Sequence, residues 1–197
     1  MRKRDSASPL EDIVERIGLF PWDLLRGKPI RMIQAQPPEI LLRPGSASDF
    51  SFAAVAYFRA MGETLQRTVG SDPERQAALL LALWDLGGIR IIVAAGREIG
   101  WIQVAPAEAA VFIRHFCIDP DYQRLGIGSL VLRQVIDEAW ARGDAVTLGV
   151  VKGSPARRFY ERLGFRATHA DLHHDYMRRD AAPSSAPDCL GQDFDSA

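Results

Sequence analysis

From residue 39 onward the apolar positions change their spacing several times, and each change marks an element. Ile40 to Arg43 is a short strand. Phe52, Val55 and Phe58 then recur at helical spacing behind Ser48 and Asp49, either of which can supply a capping oxygen. A second helix is expected from Asp72-Pro73, a capping oxygen followed by a proline in the first turn. Leu79, Leu80, Leu83 and Trp84 give it an apolar face, and Gly87-Gly88 stops it.

Three strand-length runs follow, IRIIVAAG, EIGWIQVAP and AAVFIRHFCIDP, broken by turn residues as an antiparallel meander would be. Helix returns at Gly126. There Ile127, Val131, Val135 and Ala139 recur in steps of one turn beside Leu132, Ile136 and Trp140, while Arg133, Asp137, Glu138 and Arg142 fall on the opposite side. Gly143 closes it. AVTLGVV reads as a buried strand. Ser154-Pro155 then opens a helix through Ala156, Phe159, Tyr160 and Leu163 to Gly164, and FRATHADLHHDYM makes two last short strands. Strands alternating with helices predict an α/β class with mixed pairing, because the crossover through the helix at 126–142 favours a parallel neighbour.

Outside this region the pattern fades. Residues 1–38 are an assorted leader with a basic start and a short helix near Leu10 to Ile17; Pro37 and Pro38 separate it from the domain at 39–180. Residues 181–197, with AAPSSAPDCLGQDFDSA, have the small, polar, proline-containing composition of a loose tail.

With 197 residues, 47% of them hydrophobic, and no internal repeat, the chain suits one domain. Lysine and arginine total 24 against 25 acidic residues, which offers no strong field for nucleic acid or anionic lipid. Cys117 and Cys189 do not make a disulfide framework or a metal-ligand spacing, so no metal is expected and a reducing cytoplasm is the natural compartment. No apolar run is long enough for a membrane span or a signal peptide.

The segment HFCIDPDYQRLGIGSLVL carries the chemistry. A strand ends, a turn follows, and Gly126 and Gly128 stand where a long helix begins. Glycines let backbone approach a diphosphate, and the free N–H groups and positive dipole end of the helix attract its charge. A dinucleotide-binding fingerprint would need a third glycine where Val131 stands, and a P-loop would need Gly-Lys-Ser/Thr; both fail. Gln123-Arg124-Leu125-Gly126-Ile127-Gly128 instead resembles the Q/R-x-x-G-x-G/A signature of the GNAT superfamily of acyl-CoA-dependent N-acetyltransferases. ARRFYERLGF downstream is similar as well.

The resemblance implies the GNAT fold, a mixed, mostly antiparallel sheet of about six to seven strands with about four flanking helices. It also implies acetyl-CoA as acyl donor, without a metal. The N–H groups from Arg124, Leu125, Gly126, Ile127, Gly128 and Ser129 would cradle the diphosphate, with Gln123 beside them. The thioester carbonyl would lie at a bulge near Phe116, Cys117 and Ile118, where a backbone N–H would stabilise the oxyanion. Ser154, Ala156 and Phe159 would complete the cofactor side. Substitution of Gly126 or Gly128 should harm binding more than substitution of Gln123 or Arg124, because a new β-carbon would block the phosphates.

By the same resemblance Tyr160 protonates the leaving thiolate. His174 is the best placed proton acceptor for the amine, by analogy with a histidine in the final hairpin of one subgroup. His115 and Arg114 lie on the cofactor strand, one toward the cleft and one away, and alternation alone does not say which. The acidic base that some relatives carry there has no counterpart between Glu108 and Asp119. Many relatives have asparagine where Ser154 stands, and a capping role explains the serine. Cys117 reads as a small buried hydrophobe, so transfer is direct. Phe52, Tyr57, Phe58 and Trp84 line an acceptor pocket or fill core, and Glu63, Glu74 and Asp85 hold a cationic amine or belong to solvated faces.

The expected activity is therefore transfer of acetyl to a primary amine of a small molecule or a protein. Nucleic acid and membrane are not expected as partners, and a homodimer is left open because relatives often dimerise. The competing reading is a non-catalytic acyl-CoA sensor or partner subunit using the same cradle.

Overall fold

A computed structural model describes residues 39–68, 80, 81, 84 and 87–181; of residues 62–68 it describes the backbone alone. The leader, most of the helix expected from Asp72, including Glu74 and Asp85, and residues 182–197 lie outside the described residues. The described elements run β1 (Ile40–Pro44), α1 (Phe50–Thr68), β2 (Ile89–Ala94), β3 (Arg97–Ala107), β4 (Ala110–Ile118), α2 (Ile127–Trp140), β5 (Ala145–Val151), α3 (Ala156–Arg162), β6 (Arg166–Ala170) and β7 (His174–Arg179). They agree with the expected order.

The strands make one seven-stranded sheet, ordered β1-β2-β3-β4-β5-β7-β6. Every pairing is antiparallel except β4 with β5. That parallel step follows from chain path, since α2 carries the chain back between the two strands. One face of the sheet buries Val111, Ile113, Ile118, Val146, Leu148 and Met177 against the stripe Ile127, Val131, Leu132, Val135 and Ile136 of α2. The other face packs Ile89, Ile91, Trp101 and Cys117 against Phe50, Ala53, Ala54 and Phe58 of α1. Trp101 is fully buried and donates its indole N–H to the Ala53 carbonyl at 2.9 Å, which pins α1 to the sheet.

The start of α1 differs from expectation in its cap. Asp49 ends a 3₁₀ turn, Ala47–Asp49, that leads straight into α1, and it closes a capping box with Ser46 in place of capping α1 itself. Its carboxylate accepts from the backbone N–H and the hydroxyl of Ser46, each at 2.7 Å. It also holds the Arg43 guanidinium in a two-pronged pair at 2.6 and 3.0 Å. A buried carboxylate needs charge-assisted partners, and β1 supplies the arginine.

Candidate active site

The parallel pairing of β4 and β5 covers Ala110 to Ile113 against Ala145 to Leu148 and then stops. Beyond it the two strands part. The cause lies on the other side of β4: its register with β3 slips between Gln103, opposite His115, and Val104, opposite Ile113, leaving Arg114 as an extra residue. The bulge is thus at Arg114 and not near Phe116 to Ile118 as expected.

An extra residue changes which amides face which neighbour. Before it, Ala145 donates its N–H to the Ala109 carbonyl at 3.2 Å, across the β4–β5 side. After it, Asp119 donates to the Ile99 carbonyl at 2.8 Å, across the β3 side. Antiparallel ladders alternate, so Cys117 and His115 share the β3 side with Asp119, while Phe116 and Ile118 turn their backbone groups toward the parted edge. The Ile118 carbonyl on that edge takes the Gln123 side-chain N–H at 2.8 Å. The Phe116 and Ile118 amides face the space that β5 has left, as an extended ligand lying between the strands would require.

The turn between β4 and α2 ends at the same place. A 3₁₀ turn, Pro120–Tyr122, is held by the Asp119 carboxylate, which accepts from the Asp121 N–H at 3.0 Å. Arg59 from α1 braces it by pairing with Asp119 and, at 3.0 Å, with Asp121. Arg124 (φ 61) and Gly126 (φ 80) then adopt left-handed backbone. For arginine this conformation is uncommon and costs energy; left-handed residues at alternate positions gather successive N–H groups into one concavity that suits an anion.

The first bonds of α2 are donated by Ser129 and Leu130 to the Gly126 carbonyl, at 3.0 and 3.2 Å. The amides of Arg124, Leu125, Gly126, Ile127 and Gly128 precede them, in the turn that leads into α2. The Ser129 amide, expected in the cradle, is engaged within the chain. The two glycines differ from each other in their surroundings. A β-carbon at Gly126 would meet no atom within 4 Å, so this glycine is required by its backbone angle and stands at open space. A β-carbon at Gly128 would lie 3.3 Å from the Phe159 ring and 3.7 Å from the Phe116 ring. A side chain at 128 would therefore press α2 against the Phe159 ring of α3.

Tyr160 and Phe159 on α3 lie tilted against each other at 5.2 Å, and Tyr160 meets Phe165 edge-on at 5.8 Å. Burial, helped by the neighbouring Cys117, pushes the Tyr160 phenol up to about 12, so it stays protonated and can donate. Ser154 acts as the cap expected of it: its hydroxyl accepts from the Ala156 N–H at 3.2 Å. The Cys117 thiol is fully enclosed and leans on the Trp101 carbonyl, and burial drives its pKa far up. It is no nucleophile.

His174 opens β7 opposite Val151, with its Nδ1 3.6 Å from Asp171. Asp171 also accepts from the N–H groups of His173 and His174 and from the Tyr176 hydroxyl. The structure also answers the question left open on β4. Arg114 is the exposed bulge residue, and His115 is the inward one, on the α1 face beside Tyr57 and Trp101. Two contacts of this region were not named from the sequence, the Gln123 tie to Ile118 and the Arg59 brace. Both join residues whose proximity only the folded chain creates. Phe50, Phe58 and Trp84 pack within the core under α1. The described residues bring no three metal-ligating side chains together, and none of their helices is long and apolar enough to cross a membrane.

Comparison with known proteins agrees with this geometry. Residues 87–167 match the family described as Acetyltransferase (GNAT) domain. Over 65 residues the sequence is 43% identical to the ribosomal protein bS18-alanine N-acetyltransferase of Escherichia coli, covering 32% of this chain and 43% of that one. The match spans less than half the length of the relative. Among solved structures, the paiA N-acetyltransferase of Thermoplasma acidophilum in complex with coenzyme A aligns with 72% of this chain and 99% of its own (TM-score 0.54, 18% identity). An acetyltransferase from Thermus thermophilus aligns with 73% and 98% (TM-score 0.58, 16% identity). At such identities the likeness is one of fold.

Proposed function

We propose that this chain, which carries a GNAT acetyltransferase domain at residues 87–167, transfers an acetyl group from acetyl-CoA to a primary amine. The observation that carries the proposal is the parting of β4 from β5 after Ile113 and Leu148, at the end of the sheet where the Arg124 to Gly128 amides open. One cofactor molecule fits both features. Its diphosphate takes the concave amides, and its extended arm takes the free edge at Phe116 and Ile118. The open space at Gly126 admits such a group; a β-carbon there would have no protein neighbour.

When bound, acetyl-CoA supplies an activated acyl group. Of the protein groups, a backbone N–H of Phe116 or Ile118 stabilises charge on the thioester oxygen. Gln123 steadies that strand end through the Ile118 carbonyl. Tyr160, kept protonated by burial, hands its proton to the departing sulfur. Ser154 fixes the start of α3 on which Tyr160 and Phe159 stand. His174 stands on β7, with β5 between it and the parted edge. The name of the Escherichia coli relative favours the α-amine of a protein N-terminus as acceptor.

Calorimetry with CoA and thiol release from acetyl-CoA with an alanyl peptide test the reading. Tight CoA binding with turnover of the peptide is expected, and Tyr160→Phe should lose turnover while keeping CoA affinity. Binding without turnover across a library of amines would instead indicate a sensor, and absence of CoA binding by folded protein would refute both.

A further inference from the structure

The proton that the incoming amine must lose has a receiver in the fold that is distinct from His174. His115 stands on β4 directly before Phe116, whose amide faces the parted edge, and its ring lies on the α1 face of the sheet. Tyr160 stands on α3, which covers the opposite face. An amine arriving from the α1 side would meet the acyl carbon with His115 beside it and the departing sulfur turned toward Tyr160. His174, by contrast, lies on β7, so β5 separates it from the gap.

The surroundings of His115 fix its tautomer. Gln103, directly opposite on β3 and 1% exposed, places its Oε1 3.1 Å from His115 Nδ1. A carbonyl oxygen only accepts, so Nδ1 carries the hydrogen and Nε2 keeps its lone pair. Nε2 has no hydrogen-bond partner among the described residues. The Tyr57 ring meets the imidazole edge-on at 6.0 Å from α1, and Trp101 covers it at 5.4 Å from β3. The other titratable groups near it are Arg114 and Cys117 on its own strand. No carboxylate among the described residues bonds to it. Burial first, and the charge of Arg114 second, lower its pKa, which keeps the ring neutral near pH 7.

We infer that His115, tethered through Nδ1 by Gln103, takes the proton from the acceptor amine at Nε2 as that amine attacks the thioester. This rests on the acetyl-transfer reading above. The amine enters as an ammonium and loses two protons in becoming an amide. The first passes to Nε2 and on to solvent, which frees the nitrogen lone pair to form the C–N bond as the C–S bond breaks. Sulfur takes the Tyr160 hydroxyl proton, and the second proton shed by nitrogen restores the phenol.

The test uses the full chain, acetyl-CoA and an alanyl peptide. His115→Gln should bind CoA as the parent does and lose about a hundredfold in kcat near pH 6.5. The deficit should narrow as pH passes the peptide amine's own pKa, near about 8, because the amine then arrives neutral, and added imidazole should restore part of the rate. A variant with parental kcat and pH profile overturns the inference. Nitrogen-15 NMR of the imidazoles reads the tautomer without turnover: a neutral ring with hydrogen on Nδ1 at pH 7 supports the role, and hydrogen on Nε2 overturns it. A parent protein that turns over no amine overturns the transferase reading itself, a different result from an active parent indifferent to His115.

Discussion

Gly126 and Gly128 sit two residues apart in the motif, yet the structure gives them different reasons, and a substitution series separates them. At Gly126 the backbone is left-handed and the space beside it is empty. Alanine there costs about 1–2 kcal/mol in conformational strain. For a domain of this size that lowers Tm by roughly 2–8 °C. The cost can be relieved only by rotating φ toward negative values, which turns the peptide groups on either side and takes the Gly126 and Ile127 amides out of the concavity. CoA affinity should therefore fall at least about tenfold, or 1.4 kcal/mol. Asparagine tolerates left-handed angles better than alanine, so Gly126→Asn should be the milder variant although it is the larger side chain. At Gly128 the order reverses, because the obstacle is the Phe159 ring at 3.3 Å. Gly128→Ala should be milder than Gly128→Asn. Differential scanning calorimetry and CoA titration read both quantities. If asparagine proves worse than alanine at Gly126, or if Gly126→Ala binds CoA as the parent does, the backbone-angle argument fails.

Three further outcomes follow from the buried groups. Tyr160 has its pKa raised by burial to about 12, so the unfolded chain releases this proton first. The stability it contributes is whole below about pH 10 and is lost as pH rises through the folded value, and Tyr160→Phe should flatten denaturant midpoints measured across that alkaline range. Asp49 is held well below the usual carboxylate range, chiefly by the Arg43 guanidinium and then by Ser46. Its contribution is present above about pH 4 and lost as pH falls, so Asp49→Asn should cost about 2 kcal/mol at pH 7 and lessen the acid sensitivity seen in urea unfolding. Cys117, enclosed and with its thiol pKa pushed far up, should resist thiol reagents in a Cys189→Ser background until the protein unfolds, and Cys117→Ala should retain turnover. A burst of acetylated enzyme in mass spectra would contradict direct transfer.

Much of this architecture was legible in the sequence because periodicity and punctuation are local. The steps of α2, the turn residues between β2, β3 and β4, and the Ser154-Pro155 start of α3 each announce themselves within a few residues. What escaped was fixed by register. The run AVFIRHFCI has no glycine to mark a bulge, so the position of the extra residue depends on how β3 pairs with it. The same pairing decides that His115 and not Arg114 faces inward, and it places Gln103 opposite. Arg43, the partner of Asp49, lies across a turn from it, and the Gln123 amide reaches back to the strand that precedes it. Partners brought together by folding leave little local trace.

The bulge at Arg114 unites these features. Up to Ile113, β4 behaves as an ordinary interior strand with a neighbour on each side. One extra residue lets β4 keep its ladder with β3 as far as Ile118, while the edge facing β5 gains the Phe116 and Ile118 amides in place of those that would have continued the parallel pairing. An intact ladder would have closed the sheet and left no edge for a ligand. The same residue sets the faces. Phe116 packs toward α2, with its ring 3.7 Å from where a β-carbon at 128 would lie, and His115 turns toward α1. Open edge and inward histidine are thus two consequences of one insertion, and a change of register at Arg114 would be felt at both together.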